Sequence, residues 1–127
     1  MTLRVVVKLI ISAVVASNIG YTAFLLPVLH LVKLKEVPLN LANVLAFIIV
    51  STVFGLIMAL ITSLLLKKLN LLASISVTVV AFWCAYWLPL IAVAGIADVR
   101  VLILDGVAAL ILWITMILMY RLLSLFI

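Results

Sequence analysis

The stretch "LNLANVLAFIIVSTVFGLIMALITSLLL", Leu39–Leu66, contains no charged residue. A hydrocarbon core of roughly 30 Å is crossed by about 20 apolar residues in a helix. This run is therefore long enough to be one membrane-spanning helix. Its flanks are short and charged: "KLKEVP" before it and "KKLN" after it. Working outward, three further apolar runs appear, Val5–Val32, Leu71–Ala97 and Val101–Leu123, the last two joined by "ADVR". Links of a few residues make consecutive helices antiparallel neighbours. Pro38 suits the first turn of the second helix, where its missing N–H has no helical partner in any case.

The composition supports this reading. Apolar residues make up 72% of the chain and charged residues 9%, against roughly 45–50% and about 25% in soluble domains. Such a chain lacks the polar groups to cover a water-facing surface. Membrane strands alternate apolar and polar positions, and these runs are continuous. The expected fold is all-α: a polytopic membrane protein with a single four-helix transmembrane domain over residues 1–127. Arg4 and Lys8 ahead of an apolar stretch ending in "VVASN" have the outline of a signal peptide. The run continues well past that point, however, and is long enough to span.

The formal net charge is +5, but the basic residues cluster near run ends, where they anchor helices and set orientation. None forms a patch suited to nucleic acid. Arg4, Lys8, Lys67, Lys68 and Arg121 fall on the side of the termini, and Lys33, Lys35 and Arg100 on the other. That excess predicts a plasma-membrane protein with both termini in the cytoplasm. Glu36, Asp98 and Asp105 all fall on the outer side. The single Cys84 has no internal disulfide partner and carries no information on compartment.

"AFLLP", ending at Pro27, and "AYWLP", ending at Pro89, raise the question of duplication. Sliding the chain by 62 positions (89 − 27) without a gap pairs Pro27 with Pro89, Ser12 with Ser74, Glu36 with Asp98 and Asn43 with Asp105. The same offset superimposes all the apolar runs. The pattern points to two hairpin repeats, 8–65 and 70–127, parallel and related by an axis along the membrane normal. The alternative is two unrelated hairpins of similar length.

Several positions inside the runs are polar, small or helix-breaking. Pro27 and Pro89 each remove a donor and free the carbonyl four residues earlier, at Ala23 and Ala85. They are read either as paired kinks opening an outward vestibule or as ordinary bends. Asn18 lies near the middle of the first run, beside Ser17 and a turn before Tyr21 and Thr22. An amide in hydrocarbon needs a partner, which is either another helix or a substrate. Asp105 has two readings as well. It is the N-cap of a late-starting fourth helix, or it faces the bundle opposite Asn43 as a proton or cation site. Ser51, Gly55, Ala59 and Ser63 recur every four residues, a small-residue stripe for close helix packing. The stripe serves either within the monomer or against a second chain. Ser12, Ala16 and Gly20 form a shorter stripe on the first helix. At the same offset the fourth helix carries the large side chains Trp113, Ile117 and Arg121. Phe82, Trp83, Tyr86 and Trp87 read as packing or interfacial anchors. His30 has no neighbour at metal-ligand spacing, so no metal and no cofactor is expected. Nor do the residues assemble into a catalytic set, and an enzyme is not expected.

"SNIGYTAFLL" (Ser17–Leu26), "VPLNLANVLAFIIV" (Val37–Val50) and, more faintly, "MYRLLSLF" (Met119–Phe126) resemble segments of the GtrA-like membrane proteins. The chain departs from that family's Asn–Phe and Asn–Arg pairs at the inner ends of helices two and four. The resemblance implies four crossings, inside termini, two similar halves and a role in moving polyprenyl-phosphate sugars across a membrane. The residues alone support two functions. One is an oligomeric translocator of a lipid-linked or small polar substrate, with Asn18, Asn43, Asp105, Pro27 and Pro89 along the pathway. The other is an accessory, assembly or immunity protein that binds a partner membrane protein through helix packing. The expected partners are membrane lipid and either further copies of the chain or a larger membrane complex.

Overall fold

The computed structural model describes residues 2–28, 40–94 and 99–127, with side chains described for 2–28, 40–85 and 103–127. Pro38, His30, Glu36 and Asp98 lie outside the described residues, as do the side chains of Pro89 and Arg100. Four helices follow one another: α1 (Leu3–Val28), α2 (Leu41–Leu65), α3 (Leu71–Ala94) and α4 (Val99–Leu123). No strand occurs among the described residues.

Each of the first three helices starts on a side-chain cap, which satisfies an otherwise orphaned N–H. Thr2 Oγ1 accepts from the Val5 N–H at 3.4 Å, Asn40 Oδ1 from the Asn43 N–H at 2.9 Å, and Asn70 Oδ1 from the Ala73 N–H at 2.8 Å. The link between α2 and α3 is therefore a tight turn in which Leu66 ends α2 and Asn70 opens α3.

The helices pack as an up-down-up-down bundle. α1 lies against α2 and α4, and α3 lies against the same two, so that α1 and α3 occupy opposite corners. We call the end that carries the termini and the α2–α3 link the terminus end, and the opposite one the far end. The shared core contains Leu9, Ala13, Ala16, Met58, Ala59, Ile75, Val79, Ala109, Leu112 and Met116.

Polarity is distributed in reverse of a soluble bundle. Ser12, Ser17, Ser51, Thr62, Ser74, Thr78 and Asp105 are buried, whereas Leu60, Val80, Leu110 and Leu118 are each about 60% exposed. Three helices are long and apolar enough to cross a membrane: Leu3–Val28, Leu41–Leu65 and Ile103–Leu123. The described part of α3 that is apolar, Leu71–Ala85, is shorter. So apolar a surface, around an interior that also shelters hydroxyls and a carboxylate, is the arrangement that lipid solvates and water does not.

α1 is not uniform. Leu3–Ser17 is α-helical and Asn18–Leu25 is π-helical. The N–H of Leu26 donates five residues back, to the Tyr21 carbonyl. The next residue is Pro27, which has no N–H to continue that ladder. The disturbance expected at Ala23 thus begins more than a turn earlier, at Asn18. At the proposed offset of 62 the counterpart segment, 80–87, remains α-helical within α3. Pro89 therefore follows an ordinary helix, and the two halves differ at this point.

The halves also differ in how closely their helices approach. A Cβ on Gly55 would stand 2.7 Å from Val14 Cα and 2.9 Å from both the Ala13 carbonyl oxygen and Val14 N. The α1 and α2 backbones are therefore in direct contact. On α4 the offset-equivalent position is Ile117, one turn after Trp113. There α3 and α4 leave a cleft of about 370 Å³, lined by Ser76, Val79, Val80, Trp83, Gly106 and Trp113 among others.

Candidate functional site

The polar residues inside the bundle gather mainly where α1 changes register. Asn18 is half-buried and its amide is fully engaged. Nδ2 donates to the Val14 carbonyl at 3.0 Å and to Thr52 Oγ1 at 3.3 Å, and Oδ1 accepts from Thr22 Oγ1 at 3.3 Å. Thr22 Oγ1 and Ser51 Oγ share a further bond at 3.2 Å, and Thr52 Oγ1 donates to the Ile48 carbonyl at 2.7 Å. Asn18, Thr22, Ser51 and Thr52 thus close a four-residue network across the α1–α2 seam. The Asn18 side chain occupies the Val14 carbonyl, which the Asn18 backbone N–H shares with that of Val15. Such competition for a backbone acceptor accompanies the passage from α to π geometry, and π turns recur at functional sites.

Asp105 is only 5% exposed. α4 begins at Val99, so Asp105 sits more than a turn inside the helix and does not cap it. The N-cap reading is therefore excluded, and the Asp105 side chain is buried. Asp105 lies in line with the buried stripe Ala108, Ala109, Leu112 and Met116. A Cβ on Gly20 would meet the Ala108 carbonyl oxygen at 3.0 Å and Leu112 Cβ at 3.3 Å. That contact fixes the register of α4 on α1. Along α4, Asp105 lies three residues before Ala108 and seven before Leu112, about one to two turns further toward the far end than the Gly20 contact.

Asn43 stands apart from the Thr22–Ser51 bond. It lies in the first turn of α2, with its N–H on the Asn40 cap. From Ser51 it is eight residues away, which at about 1.5 Å per residue is roughly 12 Å nearer the far end. Pro27 stands just beyond the π segment, and Pro89 lies within the α3 backbone.

The small-residue stripe of α2 faces α1. Ser51, Gly55 and Ala59 are buried, while Ser63 is half-buried and its hydroxyl donates to the Leu60 carbonyl at 2.7 Å. The face is thus largely occupied within the monomer.

Each of the two remaining seams along the chain holds one polar bond that sequence inspection did not single out. Thr62 Oγ1 donates to Thr78 Oγ1 at 2.9 Å between α2 and α3, and Trp113 Nε1 donates to Ser76 Oγ at 2.9 Å between α3 and α4. Isolated Ser and Thr residues in apolar runs gave the only signal, and the chain has many of them. Tyr21, Phe54 and Phe82 form an aromatic run from α1 through α2 to α3, edge-on at 6.3 and 5.0 Å. Among the described residues, Ser12 Oγ and Trp83 Nε1 are buried without a hydrogen-bond partner. Among the described residues no cluster of His, Cys, Asp or Glu is suited to a metal ion.

Chemically, the α1–α2 seam holds a set of hydroxyls and one amide bonded to one another and to backbone carbonyls, next to a helix segment of altered register, and the bundle separately buries one carboxylate on α4. Comparison with known proteins adds no assignment: no family model, no curated protein and no solved structure matches this chain.

Proposed function

We propose that this is an integral protein of the plasma membrane, crossing it four times with both termini in the cytoplasm, and that it translocates a lipid-linked or small polar substrate as a homo-oligomer. The carrying observation is Asp105, a carboxylate buried inside a membrane-length helix. An acid at that depth costs a few kcal/mol on insertion scales and is retained where it serves an ion or substrate path. The polar network of Asn18, Thr22, Ser51 and Thr52 in the α1–α2 seam, and the π segment that carries Asn18 and Thr22, support the same reading. Four helices closed on a packed core leave little room for a private route, so the path runs between copies. The GtrA-like resemblance makes a polyprenyl-phosphate sugar the first substrate to try. No chemical transformation of the substrate is part of this reading.

The test is flux in reconstituted vesicles. A lipid-linked sugar with a fluorescent headgroup is scored for transfer between leaflets by an impermeant quencher. Asp105→Asn should lower the transfer rate at least tenfold while the amount of folded protein stays the same. Unchanged flux removes Asp105 from the mechanism.

The second reading is an accessory or immunity protein that docks on another membrane protein. The stripe at Ser51, Gly55 and Ala59, its docking face as read from sequence, is taken up by α1. The α3–α4 cleft is what favours this reading now. Native mass spectrometry from mild detergent separates the two: a heteromeric complex supports docking, and a homo-oligomer supports translocation.

A further inference from the structure

The terminus end of the α1–α4 seam holds a fixed cation whose described contacts include no carboxylate. Lys8 Nζ donates to Ser124 Oγ at 3.3 Å and lies 5.1 Å from the centroid of the Tyr120 ring. Ser124 Oγ is itself oriented by donating to the Tyr120 carbonyl at 2.8 Å. An ammonium over an aromatic face is held electrostatically, and two of its three protons remain for an outside acceptor. Arg4 is one helical turn before Lys8, and Arg121 is next to Tyr120; both are exposed. The acids of the chain are at positions 36, 98 and 105, none of them in the segments that form this end. Along α4, Asp105 is fifteen residues from Tyr120, about 22 Å away.

The surroundings of these cations are apolar. Leu3, Leu122, Leu125 and Phe126 are all exposed around the same end, Leu125 and Phe126 to about 80%. A free anion matches the charges and leaves these side chains uncovered. An amphiphile with an anionic head matches both.

We propose that the seam formed by Arg4, Lys8, Tyr120, Arg121 and Ser124 binds the phosphodiester headgroup of an anionic phospholipid from the leaflet on the side of the termini. Lys8 is the fixed contact. The two arginines close on the phosphate from α1 and α4, and the exposed apolar side chains cover the upper acyl chains. Basic pockets between helices at this depth recognise lipid head groups by the same physics. The inference requires the chain to reside in a membrane but does not depend on translocation, so the Asp105→Asn flux assay and the lipid assay fail independently.

The test uses the whole protein in mild detergent, titrated with dioleoyl phosphatidylglycerol, dioleoyl phosphatidylcholine or inorganic phosphate, with bound lipid counted by native mass spectrometry. Phosphatidylglycerol should be retained well over phosphatidylcholine, and inorganic phosphate should not displace it. Lys8→Gln should weaken phosphatidylglycerol about fivefold, the effect of one cation near an anionic surface, and Lys8→Arg should restore it. Arg4→Gln, on an exposed side chain, should weaken binding severalfold and guards against misfolding of the Lys8 variant. The double change Lys67→Gln and Lys68→Gln, at the opposite edge of the same end, should alter binding less than twofold. Equal retention of the two lipids overturns the proposal. So does displacement by inorganic phosphate, or a loss in the Lys67/Lys68 variant as large as that in Lys8→Gln.

Discussion

Replacing Gly55 by alanine adds one methyl group where α1 and α2 touch. The new Cβ would stand 2.7 Å from Val14 Cα and 2.9 Å from Val14 N and the Ala13 carbonyl oxygen. These are backbone atoms with no rotamer by which to move aside. Ordinary carbon contacts begin near about 3.5 Å, so the helices must part by roughly 0.8 Å at this level. Such overpacking costs about 1–3 kcal/mol. The separation is felt one turn away, where Asn18 meets Thr52 at 3.3 Å and Thr22 meets Ser51 at 3.2 Å. Both bonds are already near the limit of useful length, and interhelical bonds of this kind average about 0.6 kcal/mol each in membrane proteins. Together the loss is about 2–4 kcal/mol. Gly106→Ala is the matched control, because a Cβ there meets nothing within 4 Å. It should be neutral or stabilise by up to about 1 kcal/mol through helix propensity. Both are measured by denaturant unfolding in mixed micelles, followed by tryptophan emission. If Gly55→Ala unfolds at the wild-type midpoint, the direct contact of α1 and α2 backbones is wrong.

Two further outcomes follow from the same seams. Trp83 Nε1 is a buried donor without a partner, a condition that costs about 1–3 kcal/mol; Trp83→Phe should therefore be neutral or stabilising in the same unfolding assay. Trp113→Phe should destabilise by about 0.5–1.5 kcal/mol, because it loses the bond to Ser76; the opposite ranking of the two variants contradicts the assigned partners. Asn18→Leu removes the centre of the α1–α2 network and returns the Val14 carbonyl to the backbone alone. It should shift α1 toward regular α geometry and cost about 1–2 kcal/mol through Thr22 and Thr52. Backbone amide exchange across 18–25 by nuclear magnetic resonance in micelles reads the change of register, and an unaltered pattern excludes Asn18 as its cause.

What the sequence disclosed depended on the length scale of the signal. The helices were legible because a run such as Leu39–Leu66 holds no charge and is bounded by Pro38 and Lys67, and because short links force antiparallel neighbours. Their ends were less legible. Pro38, which suggested a start for α2, lies outside the described residues, and the Asn40 cap is identifiable only once the Asn43 N–H is placed on it. Asp105 was ambiguous because aspartate is both a favoured cap and a membrane site; one fact absent from the sequence, the start of α4 at Val99, removes the first option. The π segment was not legible at all. Pro27 marks a disturbed ladder, but nothing in "NIGYTAFL" announces that the widening spreads back to Asn18. Thr52 and Ser76 were overlooked because a hydroxyl in an apolar run shows its partner only when the facing helix is in register.

The comparison of the two hairpins bears most directly on where a substrate would pass. At one offset Ser51 and Trp113 are equivalent, and each faces the preceding helix of its own hairpin, Ser51 toward Thr22 and Trp113 toward Ser76. The faces correspond while the residues on them do not. Small residues at 51, 55 and 59 let α2 close on α1, whereas Trp113 stands in the wall of the 370 Å³ cleft between α3 and α4. A duplicated hairpin with identical faces would seal both seams alike. Here one seam is sealed and carries the polar network, and the other is open and lined with indole rings. In a ring of copies, the open α3–α4 seam is the one with unfilled volume to offer a neighbour or an acyl chain. Asp105 is adjacent to Gly106 in that cleft's wall, so the buried carboxylate is one residue from the opening. A bulky side chain at Gly106, where a Cβ meets nothing within 4 Å, should then obstruct flux. Flux through Gly106→Trp equal to wild type, at matched folded protein, would move the path away from this seam.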